Sequence, residues 1–246
     1  MDERDIAVAT MTLARAAGEE RLLRASLPLL SESGAPVFVT NGGSGEAFAD
    51  FLGTLVNFNL CEPARGLWPQ VTRSLRAAYH SGRRFVLYTE PDKRDFFREH
   101  LREFVSEASG GEGVGVTLAS RSEDAFSTFP EFQRHTESAI NRCCAEVVGR
   151  RFDFTYGPCL LSRDLIPHLL NAPDVGWGWR PYAFGLARRL GYRVECVVRD
   201  LRCPPEQRED DARERLYRMR QLGQSVEGLL LATAAEESEA VTTRRE

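Results

Sequence analysis

Phe85, Val86, Leu87 and Tyr88 form an apolar run that passes through Thr89 and ends on Glu90, Pro91 and Asp92. So short a run, closing on charge, is the pattern of a buried strand that delivers its acids to the rim of a sheet. Mg²⁺ or Mn²⁺ typically takes one or two carboxylates and leaves its other positions to water and phosphate oxygens. Glu90 and Asp92 are therefore candidate ligands of a metal-diphosphate site. Glu, Pro and Asp are also ordinary turn residues, and a solvated strand end is the competing reading.

The segments before this run define its setting. An apolar strand over 6–9 precedes a helix over 19–30, with Leu22, Leu23, Leu27 and Leu30 as its stripe. A second strand over 36–40 closes on Asn41, Gly42, Gly43, Ser44 and Gly45. Right-handed crossovers make such strand-helix-strand units parallel, and open parallel sheets collect ligands where their strands end. The loops after Ala9 and Thr40 are thus candidate binding loops. A third strand is expected over 54–58 and a helix over 68–80, with Val71, Leu75, Ala78 and Tyr79 on one face.

Beyond the acid-tipped strand, the periodicity predicts helices over 95–106, 130–148, 165–170 and 181–190, and strands over 114–119 and 194–198. Residues 109–113 read as a flexible surface loop. Its glycines mimic a dinucleotide fingerprint but precede a strand instead of following one, so the match fails on context. A long helix over 206–231 carries Leu216, Met219, Leu222, Val226, Leu229 and Leu230, a stripe that suits packing on the sheet, an acceptor wall or dimerisation.

With 246 residues, the chain suits one α/β domain, expected over 1–232, followed by a polar, flexible tail over 233–246. A net charge of −4 supplies no basic field for nucleic acid. No signal-like or membrane-length apolar run is present, which suggests a cytoplasmic protein. Six cysteines without C-x-x-C spacing read as buried thiols. His80, His100, His135 and His168 are scattered on helices and form no catalytic dyad.

Taken together, the order of these motifs resembles the nucleotide-sugar glycosyltransferases of the GT-A fold, nearest in style to their family 2, over about residues 6–200. In that family the second strand ends in an Asp-Asp-Gly-Ser-like turn touching the nucleoside, matched here by Asn41, Gly42, Gly43 and Ser44. A Gly begins the helix before the metal strand, as Gly66 does ahead of Leu67 and Trp68. The metal strand ends in Asp-x-Asp, matched by Glu90-Pro91-Asp92. An aromatic acceptor segment runs into a helix and a Gly-x-x-Val strand, resembled by 176–180 and 191–194. The resemblance implies a single Rossmann-like domain: a mostly parallel central sheet flanked by helices, with a long C-terminal helix.

It also implies Mn²⁺ or Mg²⁺ on Glu90 and Asp92, where the cation neutralises charge on a departing diphosphate. Thr10, Thr12, Arg15, Asn41, Gly42, Gly43, Trp68, Gln70 and Arg73 become candidates for the nucleotide. Arg121, Tyr156, Trp177, Trp179 and Arg180 become candidates for the sugar or acceptor, with Arg121 beside Ser120 and Ser122 as a phosphate cradle. Each has a plainer reading, as turn, core aromatic or solvated charge.

Two departures concern catalysis. Inverting members open the acceptor helix with a carboxylate as general base; Trp179 and Arg180 stand there, and the nearest upstream acid is Asp174. Retaining members such as the mannosylglycerate and glucosyl-phosphoglycerate synthases need no such base, but often add a C-terminal His to the metal, and none follows His168. No catalytic residue is assigned. The expected function is metal-dependent sugar transfer from a nucleoside diphosphate to an unknown acceptor. The alternatives are a catalytically silent binding or assembly module of the same fold and, third, a nucleotidylyltransferase. A homo-oligomer is compatible with the pattern.

Overall fold

A computed structural model describes residues 5–108 and 111–243, with side chains up to 234. The elements run, in order, β1 (Ile6–Thr12), α1 (Ala17–Ser31), β2 (Val37–Asn41), α2 (Glu46–Thr54), β3 (Phe58–Cys61), α3 (Leu67–His80), β4 (Phe85–Tyr88), α4 (Leu101–Glu107), β5 (Val114–Arg121), α5 (Glu123–Ser127), α6 (Glu131–Val148), β6 (Cys159–Ser162), α7 (Ile166–Leu169), α8 (Trp179–Arg189), β7 (Arg193–Arg199) and α9 (Ala212–Thr243). The chain is mixed α/β with mostly parallel strands, and a long helix ends the described residues.

Two compact parts can be distinguished. The first comprises residues 1–111 and 157–171 and orders its strands β3-β2-β1-β4-β6. All its pairings are parallel except β4 with β6. Ile6, Ala7, Val8 and Ala9 of β1 are buried, as are Phe85 to Tyr88 of β4, which is why these strands read as continuous apolar runs. On α1, Leu23, Leu27 and Leu30 are buried at helical spacing; Val71, Leu75 and Ala78 do the same on α3.

The second part comprises residues 112–156 and 172–246 and contains the parallel pair β5–β7. α9 presents Ser225, Leu229 and Ala232 as its buried face. Two glycines permit a close crossing with the turn before α8. A Cβ on Gly228 would collide with the Gly178 carbonyl, and a Cβ on Gly178 with that of Gln224. The Gln224 side chain then accepts a hydrogen bond from Trp177 N at 3.1 Å.

Several elements differ from the sequence expectation. The third strand lies at Phe58–Cys61, because residues 46–54 form α2, whose two buried residues, Phe48 and Leu52, are too few to show as a stripe. The helix after β4 opens with a π turn, Phe96–His100, whose extra residue lets both Phe96 and Phe97 be buried alongside Leu101 and Phe104. β6 and α5 are too short to carry a period. α9 starts at Ala212, after a 3-10 turn at Pro205–Gln207, and continues to Thr243, past the end of its apolar stripe. Of the 109–113 loop, residues 109 and 110 lie outside the described residues, as do 244–246 of the expected tail. The cysteines are not uniformly buried: Cys144, Cys159 and Cys203 are, Cys61 and Cys196 are half-buried, and Cys143 is exposed because it sits on the outer face of α6.

Candidate functional site

Within the first part, β1, β2, β3 and β4 are mutually parallel, so the loops that follow them leave one edge of the sheet. Thr12 is in register with Asn41, and Ala9 with Tyr88. Backbone and side-chain bonds knit the first two loops together: Gly42 N donates to Thr12 O at 2.7 Å and Ala14 N to Ser44 Oγ at 2.9 Å. Asn41 Oδ1 accepts from Gly43 N at 3.2 Å and Ser44 N at 3.0 Å, an Asx turn that fixes the glycine loop.

Gln70 braces this loop from behind. Its Nε2 donates to Gly66 O at 2.9 Å, its buried Oε1 has no hydrogen-bond partner, and a Cβ on Gly42 would stand 2.7 Å from that oxygen. Trp68 is buried on the same helix, and Arg73 donates to Pro63 O at 2.6 Å. Of these three residues, expected as nucleotide contacts, Trp68 and Gln70 are turned inward with the apolar face of α3, whereas Arg73 is exposed.

Thr10 is likewise internal, its hydroxyl donating to Thr89 O at 2.8 Å. Thr12 is also buried, and its Oγ1 lacks a hydrogen-bond partner. Arg15 is exposed beside the loop, its backbone N donating to Glu19 at 2.7 Å.

Thr89 ties the end of β4 to β1 twice, since its N also donates to Ala9 O at 3.2 Å. Glu90 and Asp92 follow at once, half-buried, and Ser26 of α1 donates to Pro91 O at 2.5 Å. The Glu90 carboxylate lies against Gly157, where any Cβ would overlap Oε2. Carboxylates are the side chains that Mg²⁺ or Mn²⁺ takes when phosphate and water complete its shell, and Glu90 and Asp92 stand two positions apart just beyond the end of β4. Among the described residues there is no group of three or more His, Cys, Asp or Glu able to hold a metal without such ligands. A small, mostly apolar cavity sits toward the start of β1, lined by Ile6, Val8, Ala35, Leu87, Leu101 and Val105 together with Ser33 and Arg102.

In the second part, the residues expected to meet sugar or acceptor are mostly committed elsewhere. The Arg121 guanidinium, 1% exposed, pairs with Asp153 at 2.6 Å and Glu137 at 2.7 Å and donates to Thr155 at 2.7 Å. It also lies over the rings of Phe126 and Phe129. Burial opposes the Asp153 charge, but Arg121, Thr155 and Asn141 outweigh it and hold the carboxyl well below the usual carboxylate range. This corrects the expectation of an open phosphate cradle: the acids that consume the arginine come from α6 and from the 152–156 segment, which no local pattern reveals. Trp179 is fully buried and Arg180 donates to Phe154 O at 3.1 Å, so both belong to the core and not to an aromatic wall. Tyr156 and Trp177 remain half-exposed. Asp174 is exposed and accepts from Gly176 N at 3.1 Å.

No protein-family model matches the chain, and no curated protein sequence does. Solved structures do match. Glucosyl-3-phosphoglycerate synthase from Mycobacterium tuberculosis, in complex with Mn²⁺, UDP and phosphoglyceric acid, aligns over 93% of this chain and 78% of its own, with a TM-score of 0.63 and 18% identity. The same enzyme with Mn²⁺, UDP-glucose and phosphoglyceric acid aligns over 94% and 80%, again with a TM-score of 0.63 and 18% identity. Its complex with Mg²⁺ and UDP gives 0.59 over 93% and 79%, at 18% identity. The fold is thus the GT-A fold of nucleotide-sugar glycosyltransferases. Those neighbours carry their nucleotide together with Mn²⁺ or Mg²⁺. Among the described residues, no helix is long and apolar enough to cross a membrane.

Proposed function

We propose that this chain transfers a glycosyl group from a nucleoside diphosphate sugar, with UDP as the nucleotide, to an acceptor hydroxyl in the cytoplasm. The observation that carries the reading is the stitched edge of the first part, where the Asn41–Ser44 turn, Thr12 and the Glu90–Asp92 pair follow neighbouring parallel strands in a GT-A fold. Asn41 shapes the turn and Gln70 stiffens it, so the loop meets a nucleotide with little ordering cost. Glu90 and Asp92 would hold Mn²⁺ or Mg²⁺, which when bound supplies positive charge to the diphosphate leaving group. Arg15, exposed beside the loop, adds a donor for phosphate.

Calorimetric titration with UDP-glucose, other UDP-sugars and GDP-sugars, with and without Mn²⁺, tests this. Metal-dependent binding of at least one donor, weakened at least about tenfold in Asp92→Asn with unchanged melting, is expected. Failure of every donor to bind in the presence of metal overturns the reading.

A second reading, a silent binding module of the same fold, is favoured by one observation: α8 opens on Trp179 and Arg180, both buried, while Asp174 is spent on its own turn. Sugar release from any bound donor, abolished in Asp92→Asn, excludes it.

A further inference from the structure

The outer face of α9 is apolar at intervals that its inner packing does not explain. Leu216 is 52% exposed, Met219 48% and Leu230 64%. With about 100° per residue, these positions lie on the far side of the helix from Ser225, Leu229 and Ala232. Gly223 stands midway on the same stripe, exposed, and a Cβ there would meet nothing within 4 Å.

The stripe is also arranged symmetrically. Leu216 and Leu230 each lie two turns from Gly223, on opposite sides, while Met219 and Arg220 on one side answer Val226 and Glu227 on the other. Arg220 and Glu227 are both exposed, and neither has an ion-pair partner among the described residues. A two-fold axis through Gly223 would set Leu216 of one copy against Leu230 of the next, and Arg220 against Glu227. A parallel arrangement would instead stack like charges. The glycine lets two helices approach closely where they cross, and an isologous contact requires this kind of self-complementary patch.

We propose that α9 is a homodimer surface, two copies packing antiparallel about Gly223. A contact confined to a few helical turns is small for a specific interface, so it forms in the micromolar range. The inference is independent of the glycosyl-transfer reading, since none of these residues belongs to the donor site.

Sedimentation equilibrium of the full chain from about 1 to about 300 µM tests it. A reversible monomer–dimer equilibrium is expected, weakened at least about tenfold by Leu230→Glu, by Arg220→Glu and by Glu227→Arg, and restored when the two charge reversals are combined. Helical circular dichroism and melting of each variant verify that it is folded. As a second readout, Gly223→Cys in a Cys143→Ser background is expected to form a disulfide-linked dimer on mild oxidation, because the axis brings that position against itself. A monomer across the whole range overturns the proposal. So does a dimer indifferent to these substitutions, or one that the combined reversal fails to restore.

Discussion

Gln70 lies so close behind Gly42 that a methyl group on the glycine would stand 2.7 Å from the amide oxygen. The contact joins the start of α3 to the loop after β2, and so couples a helix to the edge where the nucleotide is proposed to bind. Gly42→Ala is expected to lower stability by about 1–3 kcal/mol through overpacking and to weaken UDP binding. Gly42→Ala with Gln70→Ala should recover stability, but not the loop geometry. Thermal melts and UDP titrations of the single and double variants separate the two effects.

Gly157 does the equivalent for the acid pair. Its φ of 137° is one that side-chain-bearing residues rarely adopt, and its missing Cβ makes room for the Glu90 carboxylate. Gly157→Ala should displace Glu90 and reduce Mn²⁺-dependent nucleotide affinity about tenfold, while metal-independent binding changes less. Titration at several Mn²⁺ concentrations checks this.

Asp153 gives the second part an acid-sensitive element. Its carboxyl is held below the ordinary range in the folded state, so its contribution is fully present above about pH 4. That contribution declines as pH falls below about 4 and is lost once the folded carboxyl is itself protonated. Urea denaturation between about pH 3 and 6 should show stability falling with acid, by up to about 1.4 kcal/mol per pH unit for each proton taken up. Asp153→Asn should be less stable at neutral pH and have a flatter acid limb.

Gly228→Ala places a methyl group on the Gly178 carbonyl, a backbone atom that cannot rotate away. A loss of about 3 kcal/mol or more is expected, with earlier proteolytic cleavage near α9. Gly223→Ala, on the open face of the same helix, should be neutral or slightly stabilising to the monomer.

The adjacent thiols of α6 should part company. Cys143 is exposed, whereas burial pushes the Cys144 thiol up, with Cys143 adding to the effect. Thiol titration of the folded protein should modify Cys143 first, with Cys144 reacting only after unfolding. Mass spectrometry of peptides locates the label.

How far the sequence could be read follows from the range of each signal. Runs such as 85–88 and turns such as 41–45 announce themselves locally, so the acid tip, the turn after β2 and every strand but the four-residue β6 were legible, with β3 displaced. Arg121, Trp179 and Arg180 were not, because an arginine looks the same whether it faces a ligand or Asp153 and Glu137. Their fate depends on partners from other elements. Gln70 could have been suspected from its place on the apolar stripe of α3, between Trp68 and Val71. The displacement of β3, from 54–58 to Phe58–Cys61, had a simpler origin, since α2 buries only Phe48 and Leu52 and leaves little pattern to detect.

The interlock of Gly178 with Gly228 also orders events during synthesis. The turn that begins α8 leaves the ribosome well before the helical segment that closes over it. Until that segment arrives, Trp177 has no Gln224 to fasten its backbone, and the buried face of α8 must wait uncovered in the nascent chain. Slow translation between residues 180 and 230 would therefore lengthen the interval in which chaperones can engage this half of the molecule.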